Sequence, residues 1–156
     1  MMKLSTRSSY GLRAVIALAC RHAEAPQTVA VLAEENGIPR RYLEQILNRL
    51  RHKGLVEANR GPRGGYRLAH RPAEISVGDV VRAVEGDMEP VLCSMPEHRS
   101  ADCRTASHCI SRQLCHQLEQ TLLGILDGTT LEDLCRSGGQ FVPLVRLGVH
   151  NHSLRA

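Results

Sequence analysis

The sequence predicts a mainly α-helical chain with one small β-hairpin and a long helix beyond it. Three observations predict this. Apolar residues recur at i, i+3, i+4 and i+7 in successive segments, the period of helices with one buried face. One stretch, Asn59 to Leu68, instead reads strand, Gly/Pro loop, strand. A third segment, from about Thr105 to Asp127, keeps an aliphatic stripe over its whole length.

Residues 7–22 form the first predicted helix, with Leu12, Val15, Ile16 and Ala19 on one face and Ala25-Pro26 ending it. Thr28 caps a short second helix through Val29, Leu32 and Ala33. Asn36-Gly37-Ile38-Pro39 is a tight turn, with Gly37 supplying the left-handed conformation. Pro39 suits the first turn of a third helix that runs to about Lys53.

That third helix carries two faces. Leu43, Ile46, Leu47 and Leu50 form a buried stripe, and Arg41, Glu44, Gln45 and Asn48 repeat the same spacing on another side. The second set are the side-chain types that read base edges. On an isolated helix such a face is ordinarily just solvated. Here it follows a helix and a tight glycine turn, which is the helix-turn-helix pattern. After Gly54 comes a short strand, Leu55 to Ala58, then the hairpin with Arg60 and Arg63 in its loop. A cationic, flexible tip suits phosphates or a narrow minor groove, and directly after a helix-turn-helix it reads as a wing.

Ser76 caps a helix from Val77 to Glu85, with Asp79 in the capping-box position and Gly86 beyond. In the long helix, Ile110, Leu114, Leu118, Leu122 and Ile125 form one stripe, widened by Leu123 and Leu126. So apolar a helix at the end of a small unit needs a partner, and a homodimer is the economical answer. Gly128-Thr129-Thr130 stops it, and a short helix from Thr130 to Arg136 follows. The tail shows no clear pattern, and His150 and His152 there are not read as ligands. The expected division is a winged helix-turn-helix domain at 1–86, a cysteine-rich loop at 87–109, the dimerisation helix with its short successor at 105–137, and a flexible tail at 138–156.

Charge is unevenly distributed. Residues 1–71 hold 13 Lys and Arg against 5 Asp and Glu, whereas residues 72–156 hold 7 against 11. A basic first half points to a polyanionic partner, double-stranded DNA above all. Six cysteines in a secreted chain would suggest disulfides. The apolar run ending at Cys20 mimics a lipoprotein signal, but Arg13 leaves only Ala14 to Cys20 apolar, and helix periodicity accounts for it better. No stretch could span a membrane. The expectation is a cytoplasmic protein with reduced thiols.

Three of those cysteines, Cys93, Cys103 and Cys109, fall within seventeen residues with spacing C-x9-C-x5-C. Single cysteines are usually small buried residues. Three in a polar, loop-like segment are better read as soft donors for an iron–sulfur cluster, since zinc prefers closer pairs. Cys109 is expected in the first turns of the long helix, where partial positive charge favours a thiolate. A fourth ligand stays open. Cys115 would be turned about 240° and lifted about 9 Å from Cys109 on one helix, and His116 would lie about 10.5 Å along it. Asp102 and His108, close in sequence, are further candidate donors. Cys20 and Cys135 are assigned to packing.

Several stretches together resemble the IscR/NsrR/RirA-type family of bacterial winged helix-turn-helix regulators, over about residues 2–137. They are Lys3-Leu4-Ser5-Thr6 leading to Tyr10-Gly11-Leu12-Arg13, Tyr42-Leu43-Glu44-Gln45-Ile46-Leu47, Arg60-Gly61-Pro62-Arg63-Gly64-Gly65-Tyr66-Arg67-Leu68, and Gly78-Asp79-Val80-Val81. The resemblance implies a homodimeric transcription factor on a DNA operator. Glu44 and Gln45 would read bases in the major groove and Arg60 would enter the minor groove, with Arg40, Arg41, Asn48 and Arg63 completing the DNA-binding set. It also implies an iron–sulfur cluster on Cys93, Cys103 and Cys109, with two or four irons left open. The chain departs from the family in its nine-residue first gap, in Arg112 where IscR-like members have a histidine, and in Ser9 where NsrR-like members have an aspartate. A cluster-free regulator switched by thiol oxidation or a protein partner is the alternative, as the CymR-like members suggest. A metal or redox enzyme is disfavoured, because the chain has no C-x-x-C motif, no phosphate-binding Gly loop, and no Ser-His or paired-carboxylate catalytic motif.

Overall fold

Apolar stripes and caps set the helices of the N-terminal half in the computed structural model, which describes residues 5–61, 64–86 and 110–136. Helix α1 spans Thr6–Cys20, and Ser5 caps it by accepting from the Arg7 and Ser8 amides. Helix α2 spans Val29–Asn36, capped by Thr28 through the Val31 amide. It ends at Gly37, whose φ of 59° lies in the left-handed region that glycine enters without steric cost. Helix α3 spans Arg40–His52 with Pro39 at its N-terminal boundary. All three agree with the sequence expectation, except that α1 stops at Cys20, two residues early.

Strands β1 (Val56–Asn59) and β2 (Gly65–Leu68) pair antiparallel, with Val56 opposite Leu68 and Asn59 opposite Gly65. Gln27 adds a rung that the sequence reading missed, exchanging hydrogen bonds of 2.9 and 2.7 Å with Tyr66. Gly65 allows this approach, since a Cβ there would collide with the Gln27 carbonyl. A 3-10 turn at Pro72–Glu74, also unforeseen, leads to α4 (Val77–Glu85). The Ser76/Asp79 capping box forms as expected.

Helix α5 spans Ile110–Gly128 and α6 spans Leu131–Arg136. The expected helix start near Thr105, and with it the placement of Cys109, lies outside the described residues. Among the described residues no helix is long and apolar enough to cross a membrane.

One aliphatic core joins α1, α2, α3, the hairpin base and α4. Leu32, Leu43, Leu47, Leu50, Val80 and Val84 are wholly excluded from solvent within it. Each such side chain contributes roughly 1.5–3 kcal/mol by burial. Leu131 of α6 sits in the same core, so the chain returns to its N-terminal unit after α5. A smaller cluster of Val77, Val81 and Leu126 seats the end of α5 on α4. Arg82 reinforces that seat with an ion pair to Asp127 at 2.8 Å. Leu114 and Leu118, one turn apart near the other end of α5, are each 56% exposed.

Candidate nucleic-acid interface

The aliphatic stripe of α3 decides what its other face can do. Burying Leu43, Ile46, Leu47 and Leu50 leaves Arg40, Arg41, Glu44, Gln45 and Asn48 all exposed. Arg40 and Glu44 form an i,i+4 ion pair at 3.2 Å, and Asn48 accepts from Arg51 at 3.0 Å. Such exposed pairs are weak and exchange readily for other partners. Arg41 and Gln45 have no side-chain partner among the described residues. Arg49 and Arg51 add positive charge in the last turn, where the helix dipole favours it.

The helix is anchored at three points that periodicity did not reveal. Arg13 of α1 donates to the Asn36 carbonyl at the α2–α3 turn, and its guanidinium lies 5.9 Å from the Tyr10 ring centre. Tyr10 meets Tyr42 of α3 edge-on at 5.8 Å. At the far end, Arg49 donates to the Val84 carbonyl of α4 at 3.1 Å. Arginines on a surface face read as solvated charges in a sequence, and only tertiary contact assigns these two a structural partner.

In the hairpin, Arg67 pairs with Glu57 directly across the strands, so it is held to the sheet. Arg60 follows β1 and is exposed. Arg63 lies outside the described residues. The turn is tight, with Gly64 donating to the Gly61 carbonyl at 2.9 Å.

The last turn of α4 gathers polar contacts just before the cysteine segment. Ser8 donates to Glu85 at 2.7 Å, Ser5 donates to the same oxygen, and Arg7 stands 4.0 Å away. Burial opposes ionisation of Glu85, but these hydrogen bonds and Arg7 outweigh it and hold the carboxyl below its usual range.

Cys93, Cys103 and Cys109 lie outside the described residues. Among the described residues, no group of three His, Cys, Asp or Glu side chains is placed to hold a metal. Ser9 is exposed on α1. Cys135 packs against the core as assigned, but the expectation of reduced thiols is corrected for Cys20 and Cys135: the two are joined as a disulfide, with Cα atoms 5.5 Å apart. They stand 115 residues apart in sequence, and only the return of α6 onto α1 brings them together.

Comparison with known proteins agrees with this architecture. The family model Rrf2, described as an iron-dependent transcriptional regulator, matches residues 4–137. The HTH-type transcriptional regulator CymR of Bacillus subtilis is 38% identical over 133 residues, 85% of this chain and 89% of that one. The HTH-type transcriptional regulator IscR of Photobacterium profundum is 36% identical over 135 residues, 86% of this chain and 76% of that one. Among solved structures, IscR of T. potens superposes with a TM-score of 0.72 at 30% identity, covering 90% of this chain and 93% of that one. The B. subtilis CymR structure gives 0.70 at 36% identity, covering 87% and 98%. The winged helix-turn-helix expected from the sequence is therefore the fold, and the chain belongs to the Rrf2 family, a family of transcriptional regulators and not of enzymes.

Proposed function

We propose that this chain is a homodimeric DNA-binding regulator that senses iron, cluster supply or redox and nitric-oxide stress through a labile iron–sulfur cluster. The observation that carries the DNA-binding part is the α3 face, where exposed Arg41, Glu44, Gln45 and Asn48 lie opposite a fully buried aliphatic stripe. Arg40 and the hairpin arginines Arg60 and Arg63 supply the sequence-independent contacts. The two exposed leucines of α5, Leu114 and Leu118, support self-association through that helix. Residues 1–86 would then be the DNA-binding unit and 105–137 the dimerisation unit, with 87–109 between them and 138–156 as a tail.

The donor set fits an iron–sulfur cluster. Cys93, Cys103 and Cys109 offer three soft thiolates in one segment and would be its ligands. Such a cluster, two-iron or four-iron, supplies a centre that is lost or altered when iron or oxidants change. The chain's own contribution is the coupling. Residue 86 is followed directly by that segment, and the two residues before it, Val84 and Glu85, hold Arg49 of α3, Ser8 of α1 and the α1 cap Ser5. A rearrangement in the segment therefore acts on groups that set the recognition helix.

A cluster-free regulator is the second reading, favoured by Arg112, a cation that cannot bind iron at a position where IscR-like members have histidine. One preparation separates the two. Anaerobically purified protein is assayed for iron and acid-labile sulfide, then used to select sequences from a random duplex library at two salt concentrations. The expected result is stoichiometric iron and sulfide, a two-fold symmetric selected site, and affinity that falls steeply with salt. Selection without iron or sulfide would leave the second reading. No selected sequence at either salt would overturn the DNA-binding reading.

A further inference from the structure

We propose that Cys20 and Cys135 form a redox latch that locks α6 onto α1, and so fixes how the dimer helix leaves the DNA-binding unit, separately from the cysteines of 87–109. The two sulfurs are bonded and the Cα separation of 5.5 Å is typical of disulfides. Their surroundings differ in a way that orders the chemistry. Cys20 is the exposed last residue of α1 and can be reached by a small oxidant. Cys135 is half-buried against the core, its sulfur 3.9 Å from the Ile16 carbonyl oxygen.

The position of the link gives it leverage. Only Thr129 and Thr130 separate α5 from α6. The start of α6 is already seated. Leu131 is buried, its amide donates to Ile75 at 3.0 Å, and the Val77 amide donates to Thr129 at 2.9 Å. The other end of this six-residue helix is held by Cys135. A helix so short does not persist without tertiary support. With the bond closed, α6 cannot leave α1. With it open, the last turn of α6 is free to fray, and the end of α5 loses part of its seat.

The step is thiol–disulfide exchange with a low-molecular-weight disulfide. The Cys20 thiolate attacks one sulfur of the oxidant, forming a mixed disulfide and expelling one thiolate. The Cys135 thiolate then attacks the Cys20 sulfur and expels the second. Two protein thiols are oxidised to one disulfide, and one small disulfide is reduced to two thiols.

The test uses the full-length protein, equilibrated with oxidised or reduced glutathione, with Cys20→Ser and Cys135→Ser carried in parallel. The variants keep Cys93, Cys103, Cys109 and Cys115, so any response common to all three proteins belongs to those cysteines. Peptide mapping of oxidised wild type is expected to recover a Cys20–Cys135 linked peptide. Amide exchange across residues 131–136 is expected to slow by about ten-fold or more on oxidation, in wild type alone. Affinity for the selected duplex is expected to change by about five-fold or more, again in wild type alone. Recovery of Cys20 as a glutathione adduct with Cys135 still a thiol would overturn the latch. So would a linked peptide with unchanged exchange, or with unchanged affinity in a chain that binds DNA. The affinity readout rests on the proposed DNA binding. A chain that bound no DNA in either state would count against that reading alone, and mapping and exchange would still uphold or overturn the latch.

Discussion

At the level of single side chains, the proposed DNA contacts of Gln45 and Arg60 are of two kinds. Gln45 is exposed on α3 and engages no neighbour among the described residues, so it is available to a base edge. Gln45→Ala is expected to relax preference at one or two base pairs, at roughly 1–3 kcal/mol per lost contact. Arg60→Ala should weaken binding across all sequences, since a wing arginine reads groove shape and potential. Binding across a library of operator variants distinguishes the two, and an unchanged preference with Gln45→Ala would remove it from the reading face. Glu85 makes a different prediction. Its carboxyl, held by Ser5, Ser8 and Arg7 against the cost of burial, ionises below the usual value of 4.5. A depressed folded-state pKa means that the unfolded chain binds more protons. The stabilisation is thus present above pH 4.5 and lost as pH falls through the folded-state value. Glu85→Gln should lose stability less steeply than wild type as pH drops from about 5 to 3, by thermal unfolding. Equal slopes would show that Glu85 has no share in acid sensitivity.

Helix α5 poses the question of partners for a whole element. Its end at Leu126 and Asp127 is tied to α4, while Leu114 and Leu118 remain exposed in the single chain. Leucines three or four residues apart on one face would interlock with the same face of a second copy. Leu118→Asp would place an unpaired charge in that contact. The expected outcome is a monomer by sedimentation, with operator affinity falling sharply because two half-sites can no longer be bound together. Retention of the dimer would move the interface elsewhere. Thermal stability of the monomer should change little, since Leu118 contributes nothing to the core of one chain.

For the molecule as a whole, the proposed sensing function would depend on how the basic N-terminal unit and the segment at 87–109 are joined. Residue 86 leads straight from the contacts of Val84 and Glu85 into that segment, and α6 returns the chain to α1 after α5. The N-terminal unit thus contacts the chain both before and after residues 87–109. Iron and sulfide content of anaerobically prepared single variants tests the proposed ligands. Cys93→Ala, Cys103→Ala and Cys109→Ala should each lose the cluster, whereas Cys115→Ala should keep most of it. If Cys115→Ala emptied the site as fully as Cys103→Ala, the ligand set would shift to Cys103, Cys109 and Cys115.

Local pattern determined much of this protein. The stripe Leu43/Ile46/Leu47/Leu50, the caps Thr28 and Ser76 and the turn at Gly37 are all short-range signals, and each formed as the sequence indicates. The exposed face of α3 was legible for the same reason, because a helix that buries one stripe must present the opposite one. Contacts across long sequence separations were not legible. Nothing local distinguishes Arg49 from Arg51, yet one donates to α4 and the other to its own helix. Nothing local pairs Gln27 with Tyr66. The pairing of Cys20 with Cys135 depends on α6 folding back across α1, a placement governed by burial of Leu131 in a core built by other elements. Periodicity reports which face of an element is buried; only the assembled core decides what that face is buried against.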